Sequence, residues 1–425
     1  MKDSMRITLV ILGQFISQLG SSLTGFAFGI ILFQMNNKVT DLSMLYFFQV
    51  LPVLLILLPA GLIVDKYSKK KFIILSEAIS VLTLSYLIFK VSNHNLTKTD
   101  LYAYVAICST FGTLQGLATI TLVGINVSAN KRMKFNTLLN LRQVVPRLIA
   151  PLFAGFWLMH GSTSVLFMLD IASSLFSIVM TLYIKDQFVP SVIQPWSKFL
   201  AEYIECIREL LDKPQLLWSL SCLMLSLCAI NLIGVYILPI SLLETSPEIA
   251  GKVIAMGGIG AVLAGVLVAF FPPKKLSFEK FIPLSVAFQG IILLLGSFSF
   301  HIVIMGLVLF IYFFISPWQR GCSYALWENS LENERYGKLL AIKGIMLQAT
   351  SALVFLVAGP LVDKIVFPLL QQESHDTQSL FTLVYGTSNT GAMIFILTTI
   401  GLIELIFGLY VYLRKYLTNI IYVSN

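Results

Sequence analysis

The chain has 425 residues, of which 57 % are hydrophobic and 12 % are charged, and its formal net charge is +8 at neutral pH. A soluble domain carries about 25 % charged residues, because a polar surface must cover its apolar core. The composition therefore excludes a water-soluble enzyme and predicts an integral membrane protein.

Apolar runs long enough to cross a membrane recur along the whole chain. A hydrocarbon core about 30 Å thick needs about 20 apolar residues in helical conformation. The first run is too long for the apolar core of a secretory signal, so we interpret it as a membrane helix. The sequence predicts twelve membrane helices, at residues 7–33, 41–64, 72–91, 101–125, 137–159, 163–184, 214–240, 250–271, 281–299, 302–320, 339–362 and 390–413.

The longest polar interval, residues 185–213, lies between the sixth and seventh runs. Its second half alternates apolar and charged residues at helical spacing, which predicts an amphipathic helix at the membrane surface or against the protein. We therefore expect a six-helix bundle over residues 1–184, a cytoplasmic linker over 185–213 and a second six-helix bundle over 214–425.

Lysine and arginine are concentrated on one side of the predicted spans. If both termini are cytoplasmic, the outer side keeps only Lys38, Lys90, Lys98, Lys252 and Lys364. This bias predicts cytoplasmic termini by the positive-inside rule. Topology and contact with anionic lipid then account for the net charge, and no nucleic-acid partner is expected.

A faint internal repeat relates the fifth run to the eleventh. "LLNLRQVV" at 138–145 and "LLAIKGIM" at 339–346 both place a long cation, Arg142 or Lys343, at the same position. Two halves related by an axis along the membrane normal are typical of one large secondary-transporter fold. The sequence therefore predicts an all-α membrane protein with twelve transmembrane helices in two pseudo-symmetric six-helix bundles.

The segment "GLIVDKYSKKK" at 61–71 resembles the signature loop of the major facilitator superfamily. The matching positions are Gly61, Asp65, Lys66, Lys69 and Lys70. The resemblance implies that this loop latches the two halves in the outward-open state. Gly61 is expected to permit close helix packing, and Asp65 to cap a neighbouring helix. The alternative is a basic loop that only sets the topology.

Three further segments, 12–34, 169–177 and 337–370, resemble the macrolide-efflux and enterobactin-exporter-like branch of that superfamily. This resemblance implies export of a drug-like or siderophore-like solute. The chain departs from the pattern of many drug–proton antiporters at Gly112, where those proteins carry an arginine before the Gln-Gly pair.

Ionisable residues inside membrane helices are costly and usually face the protein interior or a cavity. The candidates are Arg142, Arg147, Asp170, Lys343 and Glu404. We expect Arg147 to pair with Asp170, and Lys343 with Glu404. Such pairs either couple transport to an ion or only hold helices together.

The resemblance implies that helices one, four, seven and ten line a central cavity. Polar and aromatic residues on these helices would suit a bulky, partly apolar solute. The alternative is helix packing through small residues and interhelical hydrogen bonds. The predicted cavity residues are Gln14, Gln18, Gln115, Asn231, Tyr236, Phe314 and Trp318.

Together these patterns predict a monomeric secondary transporter of the bacterial inner membrane that exports a medium-sized organic solute by alternating access, driven by protons. The sequence carries no nucleotide-binding motif and no metal or nucleophile spacing, so neither an enzyme nor a cofactor nor a metal is predicted. Two alternatives remain: a lysophospholipid transporter of the same fold, and a non-transporting membrane sensor.

Overall fold

The computed structural model describes residues 3–127, 129–184, 196–270, 277–297, 302–330, 333–376 and 385–423. The described part of the chain is almost entirely helical. A π-helical turn, Leu361–Val366, joins α12 to α13. The α-helices are α1 (Asp3–Asn36), α2 (Val39–Lys66), α3 (Lys69–Ser92), α4 (Lys98–Asn126), α5 (Ala129–His160), α6 (Thr163–Leu182), α7 (Trp196–Leu211), α8 (Pro214–Glu244), α9 (Pro247–Phe270), α10 (Phe278–Ser297), α11 (Ile302–Ser330), α12 (Asn333–Pro360), α13 (Phe367–Asp376) and α14 (Asn389–Val423).

Each of the twelve predicted runs coincides with one long helix, which confirms the predicted fold class. Within the described residues, eleven helices are long and apolar enough to cross a membrane. The remaining long helix of the twelve is α5, which is less apolar because it carries Arg142, Gln143 and Arg147. Polar side chains at membrane depth usually face the protein interior or a cavity, and Arg142 is buried.

Short polar connections set where the first helices begin and end. Asn37 takes a left-handed backbone conformation (φ 52°) between α1 and α2, which a short polar side chain tolerates better than an apolar one. Ser68 caps α3 by accepting a hydrogen bond from the Lys71 backbone N–H. Thr97 and Asp100 form a reciprocal capping box at the start of α4. These caps satisfy backbone groups that a helix terminus leaves without partners.

The chain separates into two compact units, and each has its own apolar core. The first unit contains Met1–Ile193 and Thr245–Ala255, and the second contains Gln194–Glu244 and Met256–Asn425. In the second unit, α7 lies inside the predicted linker, and its Cys206 is buried in the core. The residues 185–195 of that linker lie outside the described part of the chain.

Helix pairing within the first unit recurs within the second. In the first unit α1 packs against α5 and α6, and α3 packs against α4 and α6. In the second unit α8 packs against α12 and α14, and α10 packs against α11 and α14. The order of the apolar runs in each half therefore produces these four pairings twice, as expected of a pseudo-symmetric repeat.

Candidate functional site

A cavity of about 510 Å³ lies within the first unit, between α1, α2, α3, α4 and α5. Its volume falls within the range of about 300–1,000 Å³ that is typical of small-molecule sites. Hydroxyl, amide and charged side chains line it beside several aromatic rings. The lining includes Gln14, Ser17, Gln18, Ser21, Ser22, Phe26, Phe28, Tyr46, Ser76, Glu77, Ser80, Tyr104, Thr113, Gln115, Arg142 and Arg147.

Glu77 of α3 lies at the edge of this cavity and is 3 % exposed. Its Oε1 accepts hydrogen bonds of 2.8 Å from Gln115 Nε2 and from Ser177 Oγ. Its Oε2 accepts a third bond of 2.8 Å from Ser17 Oγ. One carboxylate thus joins α1, α3, α4 and α6, because every donor comes from a different helix.

A second polar cluster lies one helical turn away on α1 and α4. Gln14 Nε2 donates to Thr119 Oγ1 over 2.8 Å, and Arg142 Nη1 donates to Gln14 Oε1. Thr119 Oγ1 donates to the backbone carbonyl oxygen of Gln115 over 2.7 Å. Arg142 is therefore connected to the Glu77 cluster through Gln14, Thr119 and Gln115.

Glu77 is the main residue of this site that the sequence analysis missed. It lies inside the third predicted run, 72–91, so the cost of an ionisable group at membrane depth was already a usable signal. Gln14, Gln18 and Gln115, which were predicted to line a cavity, all line this one.

The predicted pairing of Asp170 with Arg147 is wrong. Asp170 is fully buried, and its Oδ1 accepts a hydrogen bond of 3.0 Å from Ser21 of α1. Gly20 lets α1 approach Asp170 this closely, because a Cβ added at Gly20 would lie 2.8 Å from Asp170 Cα. The cause is the packing order: α6 packs against α1 and α3, whereas α5 packs against α1 and α4. Arg147 lines the cavity instead.

The second unit contains a buried polar network of its own. Gln289 of α10 accepts from Ser226 over 3.1 Å and donates to Ser316 over 3.0 Å. Gln319 of α11 donates to Ser226 over 2.9 Å. Four polar side chains on α8, α10 and α11 are thus held together without exposure to solvent, as buried polar groups require.

The predicted pairing of Lys343 with Glu404 is also wrong. Glu404 of α14 accepts a hydrogen bond of 2.8 Å from the Tyr312 hydroxyl. Lys343 Nζ donates to Ser323 over 3.1 Å and lies 4.3 Å and 4.7 Å from the ring centroids of Tyr324 and Trp327. Lys343 faces α11, and aromatic faces rather than a carboxylate attract its charge.

The two networks follow the same helix pattern. Gln115 and Thr119 on α4 are four residues apart, as are Gln319 and Ser323 on α11. Gln115 donates a hydrogen bond to Glu77 of α3. Gln319 donates to Ser226, which donates to Gln289 of α10. The second member is connected to the buried cation, through Gln14 to Arg142 in one unit and directly to Lys343 in the other. The repeat therefore extends from the helices to the interior polar side chains.

Four of the predicted cavity residues belong to the second unit, and their role in a cavity stays a prediction. Tyr236 is fully buried, and its hydroxyl donates to the Ala358 carbonyl over 2.8 Å. Asn231 donates to Ser351 over 2.9 Å. Phe314 stacks on Phe310 with ring centroids 6.1 Å apart, and Trp318 is half-buried. For Asn231 and Tyr236 the alternative of interhelical hydrogen bonding describes these contacts.

The basic segment 61–71 contains the end of α2, the connecting residues Tyr67 and Ser68, and the start of α3. Among the described residues nothing lies within 4 Å of a Cβ added at Gly61, so close helix packing at Gly61 stays a prediction. The Asp65 side chain lies outside the described residues. Lys66 lies 5.6 Å from the Tyr67 ring centroid, and Lys69 is buried.

Lys70 binds the C-terminal end of α6. Its Nζ donates to the backbone carbonyls of Leu182 and Ile184, both over 2.9 Å. A cation at this end satisfies unpaired carbonyl groups and interacts favourably with the helix dipole. Within the first unit, Lys70 therefore fastens the start of α3 to the end of α6.

We expect Lys70→Met to lower the free energy of unfolding by about 1 kcal/mol, because two carbonyl groups lose a charged donor. Thermal unfolding of the purified protein in detergent measures the change. Lys71→Met is the matched control, since the neighbouring Lys71 side chain is exposed. Equal stability of the two variants would contradict a capping role for Lys70.

Comparisons with known proteins agree with this architecture. The family model of the Major Facilitator Superfamily matches residues 10–355. The fold is similar to a bacterial homologue of the human lysosomal transporter Spinster, at 11 % identity, with 98 % of this chain and 96 % of that chain covered and a TM-score of 0.73. It is also similar to the nucleoside transporter NupG, at 12 % identity, with 96 % of this chain and 99 % of that chain covered and a TM-score of 0.70. No curated protein sequence matches the chain. The chain belongs to the major facilitator superfamily and is a multi-pass membrane transporter.

Proposed function

We propose that this transporter exports a medium-sized organic solute, drug-like or siderophore-like, across the bacterial inner membrane by alternating access. The observation that carries the proposal is the cavity of about 510 Å³ in the first unit, with its hydroxyl, amide and arginine lining. Polar groups at membrane depth are expensive unless they bind something or one another. A solute with both hydrogen-bonding and apolar parts fits such a lining.

The proposed branch is that of macrolide and enterobactin exporters. Its support is the resemblance of the segments 12–34, 169–177 and 337–370 to that branch. The first of these segments contributes Gln14 and Gln18 to the cavity, so the resemblance includes residues of the site.

We propose that the proton gradient supplies the energy. Glu77, Asp170 and Glu404 are buried carboxyl groups inside the membrane helices. Of these, Glu77 also lines the cavity. A carboxyl group that contacts both solute and protein network is able to exchange a proton in step with solute binding.

The proposed orientation has both termini in the cytoplasm. Three of the five lysines assigned to the outer side have an acidic partner: Lys90 with Asp100 at 3.6 Å, Lys98 with Asp41 at 3.0 Å, and Lys252 with Glu248 at 2.6 Å. The orientation itself is supported by the small number of lysines and arginines on the outer side, because acidic residues contribute little to the positive-inside rule. With this orientation, the segment that contains Asp65 is cytoplasmic, and we propose it as the latch of the transport cycle. We propose that the working form is a monomer.

A lysophospholipid transporter is the second candidate. Its support is the aromatic group at the cavity, where the Phe28 ring lies 5.1 Å from Tyr104 and 5.4 Å from Phe167 between centroids. Phe28 and Tyr104 line the cavity together with polar residues, and this combination suits a headgroup next to a single acyl chain. A non-transporting sensor has no comparable support.

Transport by the purified full-length protein in proteoliposomes tests the proposal. We expect an imposed pH gradient to drive movement of at least one member of a panel of fluorescent drugs, siderophores and lysophospholipids. A protonophore is expected to abolish this movement, and protein-free liposomes are the control. Failure of every panel member to move would contradict export, and movement of lysophospholipids alone would favour the second candidate.

A further inference from the structure

Arg142 is a buried cation without a carboxylate partner among the described residues. It is 7 % exposed, and its Nη1 donates to the neutral amide of Gln14. Its Nε has no hydrogen-bond partner in the same part of the chain, although it is shielded from solvent. A buried charge that lacks a hydrogen-bonded counter-charge is costly, so its persistence calls for a physical reason.

Glu77 does not supply this counter-charge directly. Its two oxygens accept three hydrogen bonds, from Ser17, Gln115 and Ser177. In the described part of the chain Glu77 forms no ion pair with Arg142, and the two are joined only through neutral side chains. The hydrogen bonds of Glu77 all come from neutral side chains, and its charge attracts the guanidinium only through space. The Nε of Arg142 keeps an unused donor among the described residues.

The repeat provides an internal comparison at Lys343. This residue occupies the corresponding position of the second unit and is 2 % exposed. Its charge is accommodated by the protein, because Ser323 accepts a hydrogen bond from it and the rings of Tyr324 and Trp327 lie beneath it. Lys343 is thus stabilised by its own unit, whereas Arg142 borders a cavity.

The cavity lining contains a second arginine besides Arg142. Among the described residues, its ionisable side chains include the guanidinium groups of Arg142 and Arg147 and the carboxyl group of Glu77. The amide of Gln18 adds a neutral donor to the same lining. A guanidinium binds carboxylates and phosphates through a planar set of donors, which favours anionic oxygens over neutral ones.

We propose that Arg142 is the anion-binding residue of the cavity, so that the transported solute carries a carboxylate, a phosphate or another anionic oxygen group. This inference rests on the proposed function, since it names the chemistry of the solute in the same cavity. Gln14 is a positioning residue, because it holds the guanidinium through the hydrogen bond to Nη1.

Two probes that differ only in charge test this proposal: dansylglycine and its uncharged carboxamide. Binding to the full-length protein in detergent is followed by dansyl fluorescence. We expect the carboxylate to bind at least about tenfold more tightly, which corresponds to about 1.4 kcal/mol. This ratio is expected to fall to about one in Arg142→Gln and to stay unchanged in Lys343→Gln, the matched control.

If Arg142→Gln does not fold, Arg142→Lys replaces it and is expected to reduce the ratio at least about threefold, because lysine lacks the planar fork. A second arm separates the source of the anion. Lysophosphatidate in phosphatidylcholine vesicles, but not monoacylglycerol, is expected to displace dansylglycine if the natural anion is a lipid headgroup. Displacement by neither identifies a soluble anion as the ligand.

Equal binding of the two dansyl probes, or binding of neither, overturns the anion assignment. A preference that survives in Arg142→Gln, or unchanged in Arg142→Lys, overturns it as well. None of these results affects transport of the solute panel, so the proposed export is judged separately. Conversely, suppose that the panel fails to move in proteoliposomes while the carboxylate probe still binds more tightly in an Arg142-dependent way. That combination rejects the export proposal and keeps the anion site.

Discussion

Glu77→Leu is expected to lower the free energy of unfolding by about 3–5 kcal/mol, the largest loss we expect from a single side chain. Leucine removes the acceptor of three hydrogen bonds at once. The serine hydroxyls can turn to carbonyl groups of their own helices, but the half-buried Gln115 Nε2 loses its carboxylate acceptor. Thermal unfolding in detergent measures the loss.

Glu77→Gln separates the structural role of this residue from its charge. The amide oxygen can accept from Gln115 and Ser177, and the amide nitrogen can donate to the Ser17 oxygen. Stability is therefore expected to stay within about 1 kcal/mol of the original chain. Under the proposed proton coupling, the variant binds solute but loses its response to a pH gradient in proteoliposomes. Full gradient-driven transport by Glu77→Gln would exclude Glu77 as the proton carrier.

Gly290→Ala is the second substitution with a large expected effect. An added Cβ on α10 would lie 2.4 Å from the Gly401 carbonyl oxygen and 2.6 Å from the Leu405 backbone nitrogen of α14. Both contacts are with backbone, so the two helices must move apart. We expect a loss of about 2–3 kcal/mol in the free energy of unfolding, at the upper end of overpacking costs.

Gly234→Ala is the matched control for this prediction. Gly234 lies within α8 of the same unit, and among the described residues nothing approaches its added Cβ within 4 Å. Alanine is the better helix former by about 1 kcal/mol, so this variant is expected to be neutral or slightly stabilised. Equal unfolding temperatures for the two variants would contradict the close crossing of α10 and α14.

The positions of the membrane helices could be predicted from the sequence, because a bilayer imposes a minimum length and polarity on every span. Each predicted run coincides with a helix, and the run that carries Arg142 is the least apolar of the twelve. The repeat of "LLNLRQVV" in "LLAIKGIM" relates Arg142 to Lys343, and both side chains are buried.

The partners of the buried charges could not be predicted in the same way. Spacing along a helix gives the depth of Asp170 and Arg147, but not the neighbour that each one faces. That choice depends on close approaches such as the one at Gly20, which brings α6 against α1. The predicted pair of Lys343 with Glu404 fails for the same reason. The rings that attract the charge of Lys343, those of Tyr324 and Trp327, lie on α11, and spacing along α12 does not reveal them.

The contact of Lys343 with the rings of Tyr324 and Trp327 affects how the two halves diverge in evolution. After a duplication, both copies of a buried cation begin with the same environment, and only one needs to remain open to passing molecules. Rings that fill the space around the second copy convert it into a fixed part of the scaffold. Selection on the second half is then expected to act through folding, while selection on the first half follows the solute that the protein transports.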